Sequence, residues 1–404
     1  MSKPFRAIKI SDHVYWVGAV DWSIRDFHGY STNRGTTYNA YLIMADKLTL
    51  IDTVKAPFRD ELLSRIASIV NPHDISYLIS NHSEMDHSGC LPEIIEEIKP
   101  EKVFASVMGV KTLSKHFGLT HKIAAVKDGE TIDLGNMSLF TIETRMLHWP
   151  DSMFTYLAED GVLFSQDAFG MHLASSERFA DEISNDILEW EAAKYYANIL
   201  LPFSPLVTKL YDRIGTLDLA FRIVAPDHGP MWRQDIDMIM GLYRRWAEGS
   251  TTKKAVIVYD SMWGSTAKMA RAIEEGLSTA GVSVRALSLS ARHRSDVATE
   301  LLDAGALLVG SPTLNNNMYP TIADVMTYLR GLKPRTTLGA AFGSYGWSGE
   351  AVGQLNEVLT GMAIDTVGDG LKVQYVPNDE ELNTCRSLGV HVAERLKEVV
   401  NREQ

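Results

Sequence analysis

With 404 residues, 45% of them hydrophobic and 22% charged, the chain has the composition of a globular protein and is too long for one core, so two domains are expected. Its 51 acidic and 39 basic side chains give a net charge of −12, of which residues 251–404, with 15 basic and 17 acidic groups, contribute only −2. An acidic chain without basic runs is a poor nucleic-acid binder; with no apolar stretch of membrane-spanning length and none behind Lys3, Arg6 and Lys9 to make a signal sequence, no membrane association and a cytoplasmic location are expected.

Residues 5–55 read as a β-meander, in which 13–20 is apolar and aromatic and 38–44 pairs with 48–53 about Ala45-Asp46-Lys47. Residues 57–70 have helical periodicity, with Leu62, Leu63, Ile66 and Ile69 on one face. A buried strand over 75–79 then runs into His82-Ser83-Glu84-Met85-Asp86-His87, and a helical pattern over 93–98 follows. This six-residue loop packs two imidazoles and two carboxylates into one turn at a strand's C-terminal end. Buried unpaired charge is costly, so a hydrophobic core has no use for that composition, whereas a metal ion does. A solvated polar loop is the bland alternative, and the density of ligand types in one turn argues against it.

A strand at 103–105, a helix over 107–117 and strands at 123–126, 137–143 and 153–157 come next. One loop cannot close a metal site, and three single residues stand at later strand-to-loop transitions: His148, Asp167 and His228. Each alone is weak evidence; their order after the motif carries the inference. Between them, residues 171–216 break the strand rhythm with a helical segment centred on 186–200, which makes His172 and Tyr195 candidates to stand beside the metal, although a tyrosine on an apolar helix face is more often simply core. Residues 247–254, small and polar after the amphipathic stretch 238–246, read as a linker.

Beyond the linker the pattern changes to strand and helix in alternation, with strands at 255–259, 282–289, 306–310 and 338–343 and helices to 277, 302, 332 and 359 and over 380–400. That is a doubly wound parallel sheet, which binds ligands at the C-terminal ends of its strands. Three loops meet there. Ser261-Met262-Trp263-Gly264-Ser265-Thr266 offers hydroxyls and backbone N–H groups to a phosphate at a helix N-terminus. Pro312-Thr313-Leu314-Asn315, continuing through Asn316 and Asn317, can hydrogen-bond a ring edge, and Ser344-Tyr345-Gly346-Trp347-Ser348-Gly349 supplies aromatic faces. Neither a Walker loop nor a Gly-x-Gly-x-x-Gly turn is present. Cys90 and Cys385 lie in separate halves without any Cys-x-x-Cys, which excludes a built-in iron–sulfur or zinc-ribbon module, so electrons would come from a separate protein.

The motif His-x-Glu-x-Asp-His followed by His148, Asp167 and His228 resembles the metallo-β-lactamase superfamily, with Glu84 where histidine is usual. A carboxylate there makes a harder, more anionic site that suits iron over zinc. With the second half, the chain resembles the flavodiiron proteins. The resemblance implies an α/β two-domain fold: a metallo-β-lactamase-like αββα sandwich over residues 1–249 and a flavodoxin-like FMN domain over 250–404. It implies two non-haem irons per chain, with His82, Glu84 and His148 on one, Asp86, His87 and His228 on the other, and Asp167 bridging; His82 is not an iron ligand in every member. The three loops of the second half resemble the FMN loops of flavodoxins. The resemblance further implies reduction of O2 to water, NO to N2O, or both, with rubredoxin or a similar small protein as donor and a head-to-tail homodimer, or a tetramer built from it, in which one subunit's FMN faces the other's irons. A zinc hydrolase with a regulatory flavodoxin domain, and a flavin electron carrier, are the alternatives.

Overall fold

The computed structural model describes residues 5–119, 122–217, 219–249 and 251–403. The chain divides into two compact units, one of residues 1–195 and 203–244, the other of residues 196–202 and 245–404.

The first unit stacks two sheets. One has seven strands in the order Ile8–Lys9, Val14–Trp16, Tyr41–Ile43, Thr49–Ile51, Tyr77–Ser80, Lys102–Ser106 and Ile123–Val126. The other has five, Thr131–Asp133, Ser138–Glu143, Met153–Leu157, Val162–Gln166 and Ile223–Pro226, in sequence order. Strand alternation sorts the side chains. Tyr41, Ile43, Ile51, Ile79 and Phe104 face the second sheet's Leu139, Met153, Leu157, Val162 and Phe164 in one core. Their neighbours Leu42, Leu50, Leu78, Val103 and Ala105 face outward against Leu62, Ile66, Leu91, Ile94, Ile98 and Leu113 of the flanking helices. Helix Leu91–Ile98 shows why those helices form: Leu91, Ile94, Ile95 and Ile98 fall at i, i+3, i+4 and i+7, Pro92 occupies the first turn, and Lys99 ends the helix at φ +51°. Burial of each such side chain contributes about 1.5–3 kcal/mol.

Strand direction decides where the site lies. The parallel pairs put the C-terminal ends of Tyr77–Ser80, Lys102–Ser106 and Ile123–Val126 on one edge of the first sheet. In the second sheet Ser138–Glu143, Val162–Gln166 and Ile223–Pro226 all run the same way, two of them flanking the antiparallel Met153–Leu157. The loops holding residue 148, residue 167 and residue 228 therefore leave that sheet at a common edge.

In the second unit the sheet order is Ser283–Ser288, Thr252–Tyr259, Ala304–Gly310 and Leu338–Tyr345, the last flanked by Asp365–Thr366 and Leu371–Gln374, with every pair parallel. This is the doubly wound order expected, and helices Ser265–Thr279 and Asp379–Glu403 pack together on one face. Two sequence expectations shift. The linker over 247–254 shortens, because helix Ile236–Glu248 runs into it and the central strand begins at Thr252, pairing with Ala304. The helical segment centred on 186–200 is not one helix: it is an α-helix over Asn185–Tyr195, a π-turn over Tyr196–Leu200 and a further α-helix over Ser204–Ile214. Among the described residues no helix is long and apolar enough to cross a membrane.

Candidate metal centre and cofactor pocket

The seven ligand-type residues come together as two adjacent groups. In the first, His148 Nε2 lies 3.2 Å from Glu84 Oε2 and 3.0 Å from Asp167 Oδ2, and His82 Nε2 lies 3.4 and 3.3 Å from the same two atoms. In the second, Asp86 stands 3.4 Å from His87 Nε2 and 3.0 Å from His228 Nε2, and Asp167 Oδ1 stands 3.2 and 3.5 Å from those nitrogens. Asp167 thus turns one carboxylate oxygen to each group. The motif is not wholly loop, since Met85–Ser88 makes one helical turn that swings Asp86 and His87 inward. Thr53 tethers that turn, its backbone N–H donating to His87 O at 3.0 Å.

These contacts are those of a ligand shell rather than of a hydrogen-bonded cluster. His82 Nε2, both Asp86 carboxylate oxygens and Asp167 Oδ2 are buried with no hydrogen-bond partner. Uncompensated buried charge costs several kcal/mol, and a cation in each group would satisfy these atoms. Four imidazoles and three carboxylates crowd two positions one carboxylate apart, a donor set that fits a pair of iron ions. Outer partners turn three of the four imidazoles: Asp151 Oδ2 lies 3.1 Å from His82 Nδ1, the backbone carbonyl of Thr37 accepts from His228 Nδ1 at 2.6 Å, and Asp227 lies 3.5 Å from His87 Nδ1. Such contacts fix the tautomer that leaves Nε2 for a metal. Neither Asp151 nor Asp227 was picked out in the sequence, yet each had a signal: Asp151 follows His148 by three residues, and Asp227-His228 repeats the Asp86-His87 pair.

The same neighbours set the protonation of the metal-free protein. Burial alone would lower the histidines, but the carboxylates outweigh it: Asp86 and Asp167 raise His87 to about 9, and Asp167 and Glu84 raise His148 to about 9. Burial would raise the carboxylates, and the histidines hold Glu84 and Asp86 down at about 2. The raised histidines stabilise the metal-free fold below their unfolded value of 6.5, and this is lost as pH rises through about 9. The lowered carboxylates stabilise it above their unfolded values of 4.5 and 3.8, and this is lost as pH falls through about 2. The metal-free protein is therefore expected to have a thermal midpoint that falls from pH 6.5 to 9. Metal-loaded protein should instead lose metal on acidification, because protons compete for the same nitrogens. Calorimetry of both forms across that range checks this, and a metal-free midpoint that climbs toward pH 9 contradicts it.

His172 and Tyr195 stand against the second group. The His172 ring centroid lies 4.7 Å from that of His228 and 5.1 Å from that of Tyr195. Burial, reinforced by the nearby His228, pushes His172 well below its ordinary value and keeps it neutral; its Nδ1 meets Thr36 Oγ1 at 2.9 Å while its Nε2 has no partner among the described residues. Burial and the negative charge of Asp167, to which the Tyr195 hydroxyl hydrogen-bonds, push Tyr195 well above its ordinary value, so it stays a donor. A cleft of about 810 Å³ reaches Glu84 and Asp86 from solvent past His28, Lys55, His116 and Trp149.

In the second unit a cavity of about 460 Å³ opens at the C-terminal ends of the parallel strands. Met262, Trp263, Ser265, Pro312, Thr313, Leu314, Asn315, Ser344, Tyr345, Gly346 and Trp347 line it, as do Asn316 and Ser348 of the same loops. Four of the nominated residues shape the loops without lining the cavity. Ser261 Oγ accepts from Gly264 N–H at 3.0 Å, Gly264 sits at φ +85° before helix Ser265–Thr279, Thr266 Oγ1 meets Ser344 Oγ at 2.9 Å, and Gly349 turns at φ +77°. Tyr375 and Val376 also line the cavity, and no sequence signal marked them. Trp263 and Trp347 are 94% and 84% exposed, aromatic faces left uncovered among the described residues, which a planar ligand would use. The cleft between phosphate-type turn and aromatic faces fits a flavin mononucleotide.

A two-sheet sandwich that carries a paired ligand set, followed by a flavodoxin-like sheet with a flavin-shaped pocket, is the arrangement of a flavin- and iron-dependent oxidoreductase. Residues 36–229 match the family described as ODP family beta lactamase, and residues 257–389 match the flavodoxin family. The nitric oxide reductase of Moorella thermoacetica is 47% identical, over 98% of this chain and 100% of that protein. The solved rubredoxin oxygen:oxidoreductase of Desulfovibrio gigas is 44% identical, with a TM-score of 0.95 over 97% of this chain and 99% of that one. The flavodiiron protein of Giardia intestinalis is 34% identical, with a TM-score of 0.96 over 100% of this chain and 99% of its own. The chain belongs to the flavodiiron protein family.

Proposed function

We propose that the protein reduces O2 to water, NO to N2O, or both, at two irons held by His82, Glu84, His148, Asp86, His87 and His228 and bridged by Asp167, with electrons entering through FMN. The observation that carries this reading is Asp167, whose two oxygens face the two groups. Relatives named for nitric oxide and for oxygen support both substrates. Two ferrous ions and one reduced FMN would together supply the four electrons that O2 needs, or the two that coupling two NO molecules needs. The chain's own residues do the rest. Asp167 would hold the two metal positions together, one carboxylate oxygen turned to each ligand group. Buried His172 and Tyr195 keep water from one side, and the Tyr195 hydroxyl holds a proton beside Asp167.

Changing Tyr195 to phenylalanine is accordingly expected to lower turnover by about 10²-fold, at the low end of what positioned proton donors contribute, with iron content unchanged. Equal rates with both gases would remove Tyr195 from the mechanism. The donor in this reading is rubredoxin or a similar small redox protein, supported by the name of the Desulfovibrio gigas relative and by the absence of a Cys-x-x-Cys in this chain. The working form is a head-to-tail homodimer, supported by resemblance and by the prevalence of two-fold assemblies; full activity from a monomer at nanomolar concentration would count against it. The deciding experiment is metal and flavin analysis of anaerobically purified protein. Two irons and one FMN per chain, with turnover of O2 or NO by reduced rubredoxin, support the reading. Zinc alone would favour a hydrolase, and FMN without metal an electron carrier.

A further inference from the structure

The turn at Asn315 and Asn316 lines the cofactor pocket and is built against local preference. Both residues sit in the left-handed region, at φ +50° and +60°, as a two-residue hairpin turn requires. Asparagine and aspartate visit that region more readily than other non-glycine residues, and it still costs free energy. The hairpin it closes has just two residue pairs, Thr313 with Met318 and Leu314 with Asn317, and a hairpin that short does not hold itself.

What holds it is a side chain from another element. Gln354, half-buried on helix Ala351–Gly361, accepts from the Met318 backbone N–H at 2.8 Å. Its Nε2 donates to the Asn316 carbonyl and to Asn317 Oδ1, each at 3.1 Å. One amide thus reads a donor and two acceptors of the turn, a match that only glutamine or asparagine chemistry provides. The helix behind it is anchored by buried Val352, Leu355 and Leu359, so the clamp is attached to a rigid body. Gln354 itself does not line the pocket.

We infer that Gln354 is a positioning residue for the flavin: its side-chain amide keeps the Asn315–Asn316 turn in the shape that the ring needs. The inference rests on the FMN reading given above. Removing the clamp leaves the pocket's lining residues unchanged and releases the turn, so binding must then supply the ordering that was prepaid.

The test uses the full-length chain, wild type, Gln354→Ala and Gln354→Glu. Glutamate keeps the size and the acceptor for Met318 but turns an anionic oxygen toward the two acceptors, Asn316 O and Asn317 Oδ1, so it opposes the clamp without the cavity that alanine leaves. Hydrogen exchange at the Met318 amide is read in flavin-free protein, FMN affinity by quenching of flavin fluorescence, and the thermal midpoint as a control. The expected result is faster Met318 exchange and FMN affinity weakened about tenfold in Gln354→Ala, and weakened at least as much in Gln354→Glu, with thermal midpoints unchanged. Equal FMN affinity in all three proteins overturns the inference while leaving the flavin reading standing. Failure of the wild type to take up FMN overturns both.

Discussion

Replacing Asp167 with alanine is expected to strip the protein of iron and to reduce turnover of either gas by at least about 10³-fold, beyond what loss of a single outer contact does. The size follows from the geometry: among the described residues no other side chain presents an oxygen to each group, and both sets of distances, to His148 and His82 on one side and to His87 and His228 on the other, end on this carboxylate. Without it the four imidazoles face one another across an unbridged space. Asp167→Asn is the informative partner, since it keeps the shape and one neutral oxygen while removing the charge. It should retain part of the iron and little of the activity. The scaffold should survive both changes: Gln166, held at φ +43°, presents Asp167, its side-chain Oε1 accepting from the Asp167 N–H at 2.7 Å. Iron analysis and steady-state turnover measure the outcome. Two irons per chain with undiminished rates in Asp167→Ala would remove the bridge from the mechanism.

How much of this was legible in sequence depends on whether the chemistry was local. The run His82 to His87 could be read because four ligand residues in six have no other use in a core, and the two aromatic and hydroxyl-rich loops of the second half could be read because their composition is just as local. Asp151 could not: its carboxylate reaches His82 and the Ser83 N–H, at 3.1 and 2.7 Å, only because antiparallel strands bring its loop over the motif. Tyr375 joins the pocket because Leu371–Gln374 pairs with Leu338–Tyr345, a register that no composition reveals. The linker was misread in part for an instructive reason. Thr252, Lys253 and Lys254 are polar, but the strand they open is central, and backbone pairing on both sides recruits them while Lys254 meets Glu300 and Asp303, each at 2.8 Å. Composition sees side chains, and a sheet's inner strand is settled by the main chain. The break of the segment 186–200 at Tyr196 has the same character: nothing in its residues forbids one helix, and packing decides.

Glu84 is the residue through which the chain departs from the usual lactamase pattern, and exchanging it for histidine should redirect the site. The carboxylate lies 3.2 Å from His148 Nε2 and 3.4 Å from His82 Nε2 through one oxygen, and 3.3 Å from His28 Nε2 through the other. In the diiron reading its negative charge would harden the first metal position and favour the ferric over the ferrous state; an imidazole there would restore the softer donor set that zinc prefers. In Glu84→His expressed with iron and zinc supplied equally, the zinc-to-iron ratio is expected to rise at least about tenfold and gas reduction to fall by about 10²-fold or more, since zinc has no redox chemistry. The second group keeps Asp86, His87, His228 and the bridge, so residual iron should concentrate there, a mixed pair that iron spectroscopy distinguishes from an intact one. Flavin content is the internal control and should not move, because the pocket belongs to the other unit. A variant that still holds two irons and reduces O2 or NO at the wild-type rate would show that Glu84 does not choose the metal, and the selection would then have to come from Asp86 and Asp167, the two remaining carboxylates.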